Sequence, residues 1–123
     1  MSDLQVKHCV AASASLPDMP LAAESILEGA PQATGTVLTQ SADKLVSSGL
    51  WECTAGRFEW TFAWDEFVHV LEGGARITTE SGETIELGSG DSAHFPLGLK
   101  TEWTITDRIR KVFTVRTTEP LEL

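Results

Sequence analysis

Aromatic side chains recur with a regular spacing in one short segment and could line a binding cavity. Every second residue is aromatic in the sequence RFEWTFAW, which spans positions 57–64; these residues are Phe58, Trp60, Phe62 and Trp64. Because neighbouring side chains of a β-strand point to opposite faces, the segment predicts a strand with one buried aromatic face. That face either packs into the core or lines a cavity, since aromatic side chains serve both purposes.

Three titratable side chains near this segment are candidates for proton transfer or metal binding. Glu66 lies two residues after Trp64, the end of the aromatic run, and His69 lies three residues later. On a strand this odd spacing sends the two side chains to opposite faces, so they cannot share a metal ion inside the fold. His94 lies two residues before Pro96. It could point inward toward Glu66, or it could be an ordinary structural residue of a strand whose hydrogen bonds are satisfied.

Composition narrows the possible functions. The 123 residues suit one domain, and 41% of them are apolar. A net charge of -9 argues against nucleic acid and anionic membranes as partners, because both require basic surfaces. The chain has no apolar run of the roughly 18 residues that a membrane span needs, and no signal-like start, so we expect a cytoplasmic protein. Cys9 and Cys53 are expected to be free thiols.

Short strand-like runs alternate with turn residues from Thr34 onward. The predicted strands are Thr34–Thr39, Ser48–Thr54, Arg57–Ala63, Phe67–Glu72, Ala75–Glu80, Thr84–Leu87, Ser92–Phe95, Lys100–Thr106 and Ile109–Thr117. Ser81-Gly82 predicts a hairpin turn. Many short strands with frequent turns predict an all-β sandwich, jelly roll or barrel at residues 34–123. Residues 1–33 are expected to form an N-terminal arm with a short helix from Leu21 to Glu28.

Two segments resemble the paired motifs of the cupin family. In the first motif two histidines, one residue apart, precede a glutamate and then a glycine; here Glu66 and Gly73 match, and the histidine positions fall on Trp60 and Phe62. The second motif has a glycine, a proline, a glycine and a third histidine. The glycine and proline positions of this motif match Gly90, Pro96 and Gly98, and its histidine position falls on Thr101.

The resemblance extends over roughly residues 26–117 and is closest to one branch of small single-domain cupins. This branch includes the cupin domains related to (S)-ureidoglycine aminohydrolase and to ethanolamine-utilisation proteins. The segments and residues that match this branch include Gly49-Leu50-Trp51-Glu52-Cys53, Gly90-Asp91, Trp103 and Arg110-Lys111. The resemblance implies a double-stranded β-helix, the cupin jelly roll, preceded by the N-terminal arm.

Most cupins hold a metal ion through three histidines and a glutamate, and this chain lacks the histidines. Trp and Phe have no lone pair to offer a cation, and one carboxylate with one hydroxyl cannot replace three imidazoles. We therefore expect neither the usual cupin metal nor another cofactor.

The resemblance also implies which side chains line the barrel. Between Arg110 and Lys111, which must face opposite sides of a strand, it favours Lys111 as the inward residue. The candidates for lining the pocket are Trp51, Trp60, Phe62, Trp64, Thr101, Trp103 and Lys111. Glu66, if it points inward, could act as a general acid or base, with His94 as its partner. Alternatively, Glu66 is tied to a cation such as Lys111 or Arg57.

The sequence is compatible with three functions. The chain could bind a small polar metabolite or zwitterion in an aromatic cavity with one carboxylate and one cation. It could be a metal-independent enzyme, of epimerase, isomerase, hydrolase or lyase type, that uses Glu66 for proton transfer. It could also be a structural or accessory protein whose cavity is filled by core side chains. We expect a homodimer that buries Phe67, His69 and Leu71, which share the outward face of one strand.

Overall fold

The computed structural model describes residues 4–123, so the first three residues of the predicted arm lie outside the described part of the chain. A single 3-10 turn, Ala23–Ser25, precedes the strands of the sheet. The strands are β1 Ile26–Glu28, β2 Ala33–Gln40, β3 Val46–Thr61, β4 Asp65–Thr79, β5 Thr84–Gly88, β6 Ser92–Phe95 and β7 Lys100–Arg116. The predicted all-β fold is confirmed.

Three long antiparallel strands form the frame of the fold. β7 lies between β3 and β4 and pairs with both along nearly its whole length. The first half of β3 also pairs with β2, and its second half pairs with β1. In the same way, the first half of β4 pairs with β6 and its second half with β5. Each long strand thus contributes to two five-stranded layers, with β2 and β6 at the edges of one layer and β1 and β5 at the edges of the other.

Bulges divide the long strands between the two layers. The pairing of β3 with β7 shifts between Thr54 and Gly56, and the pairing of β4 with β7 shifts at Val70/Glu72 and again at Gly73/Arg76. The buried face of β4 consequently changes from even to odd positions. An inserted residue bends a strand and increases its twist, which lets one strand cross from one layer to the other. The sequence pattern predicts two short strands wherever the structure has one bent strand.

The two layers bury a mixed aliphatic and aromatic core between them. Phe62 stacks on Phe95 with ring centroids 4.7 Å apart, and Phe95 also contacts Trp103 at 5.8 Å. Because Phe95 belongs to β6 and Trp103 to the first half of β7, these contacts join the two layers. Val68 and Ile77, which are fully buried, extend the core along β4. Burial of such side chains is the main stabilising term of the fold.

The N-terminal arm forms extended chain where a helix was predicted. Only the turn Ala23–Ser25 is helical, and Ile26–Glu28 continues as β1 against β3. The prediction of a helix from Leu21 to Glu28 was wrong, because pairing with the free edge of β3 satisfies the backbone groups of this segment. Upstream, Pro17 and Met19 pair with the edge of β2 through Gly35 and Ala33.

Gly73 is predicted to be essential for the bend in β4. Its φ of +71° favours glycine, and an added Cβ would lie 1.9 Å from the carbonyl oxygen of Arg108. Gly82, in the predicted hairpin turn, also has a positive φ of +95° but has open space around it. Gly82→Ala should lower the free energy of unfolding by about 1 kcal/mol, and Gly73→Ala by about 3 kcal/mol or more. Urea denaturation measures the free energy of unfolding of both variants. Equal losses would contradict the conclusion that the close approach of Gly73 to the Arg108 carbonyl oxygen excludes a side chain there.

The two cysteines are predicted to differ sharply in reactivity. Both are free thiols; Cys53 is fully buried, and Cys9 is half-buried in the arm. Burial raises the pKa of the Cys53 thiol to about 11, so it stays protonated and unreactive near neutral pH. A thiol-specific chromogenic disulfide should therefore titrate one cysteine in the folded protein and two after denaturation. A Cys9→Ser variant that still reacts in the folded state would contradict this assignment.

Candidate functional site

A cavity of about 290 Å³ lies between the two layers. Both layers, the loop that joins β3 to β4, the N-terminal arm and the C-terminal tail line it. The lining residues are Met19, Pro20, Leu21, Val37, Trp51, Phe58, Trp60, Phe62, Trp64, Glu66, Trp103, Lys111, Phe113, Val115, Leu121 and Leu123. Most of this surface is apolar, and Glu66 and Lys111 are its ionisable side chains.

The aromatic run of β3 supplies one wall of this cavity. Phe58 and Phe62 are almost completely buried, whereas Trp60 and Trp64 are half-buried. The Trp60 ring lies 6.3 Å from Phe62 and 6.5 Å from Trp64, measured between centroids. Phe58 and Trp60 extend from β3, and Phe62 and Trp64 extend from the loop that follows it. All four side chains line the cavity.

Glu66 and Lys111 form a buried ion pair inside the cavity. Lys111 Nζ donates a hydrogen bond of 3.0 Å to Glu66 Oε2, and Trp64 Nε1 donates one of 2.9 Å to Glu66 Oε1. Each of the two ionic side chains is only 7% exposed. Every carboxylate oxygen therefore has a donor, which is the condition under which a charge tolerates burial. Two alternatives were open for Glu66: a general acid or base with His94 as its partner, or an ion pair with a nearby cation. The structure shows the ion pair, and Lys111 is the cation.

Aromatic rings surround the ammonium group of Lys111. Its Nζ lies 4.7 Å from the ring centroid of Trp51 and 4.9 Å from that of Trp103, distances typical of cation–π contacts. Within residues 4–123, Glu66 is the hydrogen-bond acceptor of Nζ. An ammonium group has three donors, so Lys111 can donate further hydrogen bonds to a molecule in the cavity.

Thr101 holds the aromatic wall in place and does not line the cavity. Its hydroxyl donates a hydrogen bond of 2.6 Å to the carbonyl oxygen of Trp60 and accepts one of 3.1 Å from Trp103 Nε1. Thr101 is buried among these partners. The prediction that Thr101 lines the pocket was wrong, because its hydroxyl is engaged with Trp60 and Trp103 behind the cavity wall.

His94 lies on the outer surface, so the prediction that pairs it with Glu66 was wrong. β6 pairs with β4 so that His94 is opposite Phe67, whose side chain points away from the core. Directly paired residues of two strands point to the same face, and His94 is accordingly exposed. His69 also faces outward, where its Nδ1 lies 2.8 Å from Ser92 Oγ. The predicted homodimer face includes Phe67, which is 49% exposed, and it stays a prediction.

The residues at the cupin metal positions do not fit a metal ion. Trp60 and Phe62 have no donor atoms for a cation, and the Thr101 hydroxyl is engaged with its two neighbours. The carboxylate of Glu66 already faces an ammonium group at 3.0 Å, which would repel a second cation. Among residues 4–123, no three histidine, cysteine, aspartate or glutamate side chains are grouped so that they could hold a metal ion.

Arg110, the neighbour of Lys111, fastens the N-terminal arm to the outside of the barrel. Its guanidinium donates hydrogen bonds to the carbonyl oxygens of Ala11 and Ala14 and to Glu52 Oε1, at 2.9, 2.6 and 2.9 Å. Burial alone would raise the pKa of Glu52, but hydrogen bonds from Arg110 and Arg108 outweigh it and hold that pKa below its usual value. Sequence analysis missed this contact, because carbonyl groups of an irregular segment leave no sequence pattern.

The buried ion pair leads to a stability prediction. Lys111→Met should lower the free energy of unfolding by about 3–5 kcal/mol, because it leaves the Glu66 carboxylate buried without a counter-charge. The double variant Lys111→Met/Glu66→Gln should regain much of this loss. Lys100→Met, which breaks the exposed pair with Glu80, serves as the control and should change stability little. Equal losses in the single and double variants would contradict the assigned coupling.

Comparisons with known proteins agree with this architecture. A family model described as the EutQ-like cupin domain matches residues 40–113. A solved structure of a DUF861-family protein of unknown function from Pseudomonas syringae pv. tomato has a TM-score of 0.76 at 22% identity, covering 83% of this chain. This chain spans only 44% of that protein. No curated protein matches the chain.

Two further solved structures show the same fold. The putative ethanolamine utilization protein EutQ of Salmonella typhimurium has a TM-score of 0.61 at 24% identity, with 74% of this chain and 72% of that one covered. A DUF861-family protein of Thermotoga maritima is 33% identical over 52% of this chain and 73% of its own length, with a TM-score of 0.51. No helix within residues 4–123 is long and apolar enough to cross a membrane.

The EutQ-like family model matches more than half of the length of this chain. The chain therefore belongs to the family of EutQ-like cupin domains.

Proposed function

We propose that the cavity binds a small, uncharged and mainly apolar molecule, which Lys111 anchors through a hydrogen bond to one oxygen of the ligand. The observation that carries this proposal is the self-neutralised pair of Glu66 and Lys111 inside an aromatic cavity. A molecule of modest size suits the volume of about 290 Å³, which lies at the lower end of the about 300–1,000 Å³ of ligand pockets.

The charge balance of the cavity favours an uncharged ligand. Glu66 and Lys111 bind each other at 3.0 Å, so their charges cancel. A carboxylate or ammonium brought by a ligand would be buried among aromatic rings without a counter-charge of its own. A zwitterion, which the sequence suggested, could be compensated only if the pair separated, and separation would also strain the bond from Trp64 to Glu66.

The remaining donors of Lys111 favour a ligand with a hydrogen-bond acceptor. A carbonyl or hydroxyl oxygen of an uncharged molecule can accept from Nζ while the bond to Glu66 persists. Rings or alkyl groups of the same molecule would pack on Trp51, Trp60 and Trp103. The open volume of the cavity counts against a purely structural role, because core side chains do not fill it.

Intrinsic fluorescence offers a direct test, since all four tryptophans of the chain line the cavity. Four ligands of similar shape differ in charge: benzyl alcohol and benzamide are neutral, benzoate is an anion and benzylammonium a cation. We expect saturable fluorescence changes with the neutral pair and affinities at least roughly tenfold weaker for the charged pair, because each would bury an unpaired charge. Comparable affinities across the series, or no saturation with any member, would contradict the proposal.

Two variants make the fluorescence titration specific to the cavity. Lys111→Met/Glu66→Gln keeps the cavity neutral but removes the ammonium donor, so it should weaken benzamide binding by roughly tenfold. His94→Ala, which alters only the outer surface, should leave the affinity unchanged. An effect of His94→Ala as large as that of the double variant would show that the fluorescence change reports on another site.

A further inference from the structure

The amine of Lys111 is placed for covalent chemistry with an aldehyde. We propose that Lys111 forms a reversible imine with a small apolar aldehyde that enters the cavity; this inference rests on the proposed function and specifies its ligand class. The side chain of Lys111 is 7% exposed and borders the cavity, whereas those of Lys44 and Lys100 are 48% and 63% exposed. Lys44 and Lys100 pair with Glu122 and Glu80 on the surface.

Glu66 is positioned to accept the proton that Lys111 must release before it can react. Its Oε2 lies 3.0 Å from Nζ, within the range needed for direct proton transfer. Trp64 holds the other oxygen, Oε1, and so keeps the carboxylate oriented toward the amine. A lysine amine in an apolar pocket next to a base is the arrangement in which lysines act as nucleophiles toward carbonyl groups.

The reaction conserves charge and needs no oxidant or reductant. Glu66 takes a proton from the Lys111 ammonium, and the neutral Nζ attacks the aldehyde carbon while the electrons of the C=O double bond move to oxygen. A proton passes from nitrogen to that oxygen, which gives a carbinolamine. The carboxyl of Glu66 then protonates the hydroxyl, water leaves, and the nitrogen lone pair forms the C=N bond. The Lys111 ammonium and the aldehyde thus become a protonated imine and water, and the Glu66 carboxylate is regenerated.

The surroundings that hold the ammonium also suit the product. The protonated imine carries the same single positive charge at Nζ, so Glu66 still compensates it and the rings of Trp51 and Trp103 still face it. The aldehyde is uncharged before the reaction, as the charge balance of the cavity requires. The apolar walls also limit access of the water that would hydrolyse the imine.

Reductive trapping tests the inference. The full-length protein is incubated with benzaldehyde and sodium cyanoborohydride, and modified lysines are located by peptide mass mapping. We expect modification at Lys111 at least roughly tenfold faster than at Lys44 or Lys100, and protection of Lys111 by benzyl alcohol. Glu66→Gln should slow modification by at least roughly tenfold, because it removes the acid that protonates the departing hydroxyl. Lys111→Arg keeps the positive charge but cannot form an imine, so this fast modification should disappear.

The outcomes separate this inference from the proposed function. If benzyl alcohol changes the tryptophan fluorescence saturably but Lys111 is modified no faster than the surface lysines, imine formation is refuted while ligand binding stands. If neither benzyl alcohol nor benzaldehyde binds, both proposals fail. Fast modification of Lys111 that benzyl alcohol does not slow would refute entry through the cavity. In Lys111→Arg, retained binding of benzyl alcohol would show that the loss of modification is not a loss of fold.

Discussion

An ion pair buried in an aromatic cavity constrains everything else about this site. Glu66 and Lys111 can be buried only because they lie 3.0 Å apart and because Trp64 satisfies the second carboxylate oxygen. The pair leaves the cavity electrically neutral and leaves donors of Lys111 free for a ligand. The ligand preference and the amine chemistry that we propose therefore have the same electrostatic origin.

Bent strands bring the members of this site together. Lys111 lies on the half of β7 that pairs with the first halves of β3 and β4, whereas Trp103 lies on the half that belongs to the other layer. Without the bulges at Thr54/Gly56 and Gly73/Arg76, one face of each strand could not serve both layers of the cavity wall. The bulges in the backbone thus decide whether Trp51 and Trp103 can both face the ammonium group of Lys111.

The sequence predicted the features that depend on local periodicity and turn chemistry. The alternation from Phe58 to Trp64 was sufficient to predict that the four aromatic side chains could line a cavity, although the strand ends at Thr61. Ser81-Gly82 was sufficient to predict a hairpin. Features that depend on pairing between distant strands were missed or wrong. The orientation of His94 follows from its register with Phe67, and the burial of Thr101 follows from its contact with Trp103. The carbonyl contacts of Arg110 with the arm depend on a segment about a hundred residues away.

Without the cupin histidines the chemistry of the barrel differs, but the buried carboxylate of Glu66 still needs a positive charge beside it. A carboxylate at the position of Glu66 needs a cation beside it in an apolar interior, and a metal ion or an ammonium group can meet this need. Here Lys111 meets it, and the positions of two histidines carry the rings of Trp60 and Phe62. A metal would bind polar and anionic ligands directly. In the function that we propose, an ammonium between aromatic rings instead donates hydrogen bonds to neutral oxygen atoms and, after it gives its proton to Glu66, provides a nucleophilic nitrogen.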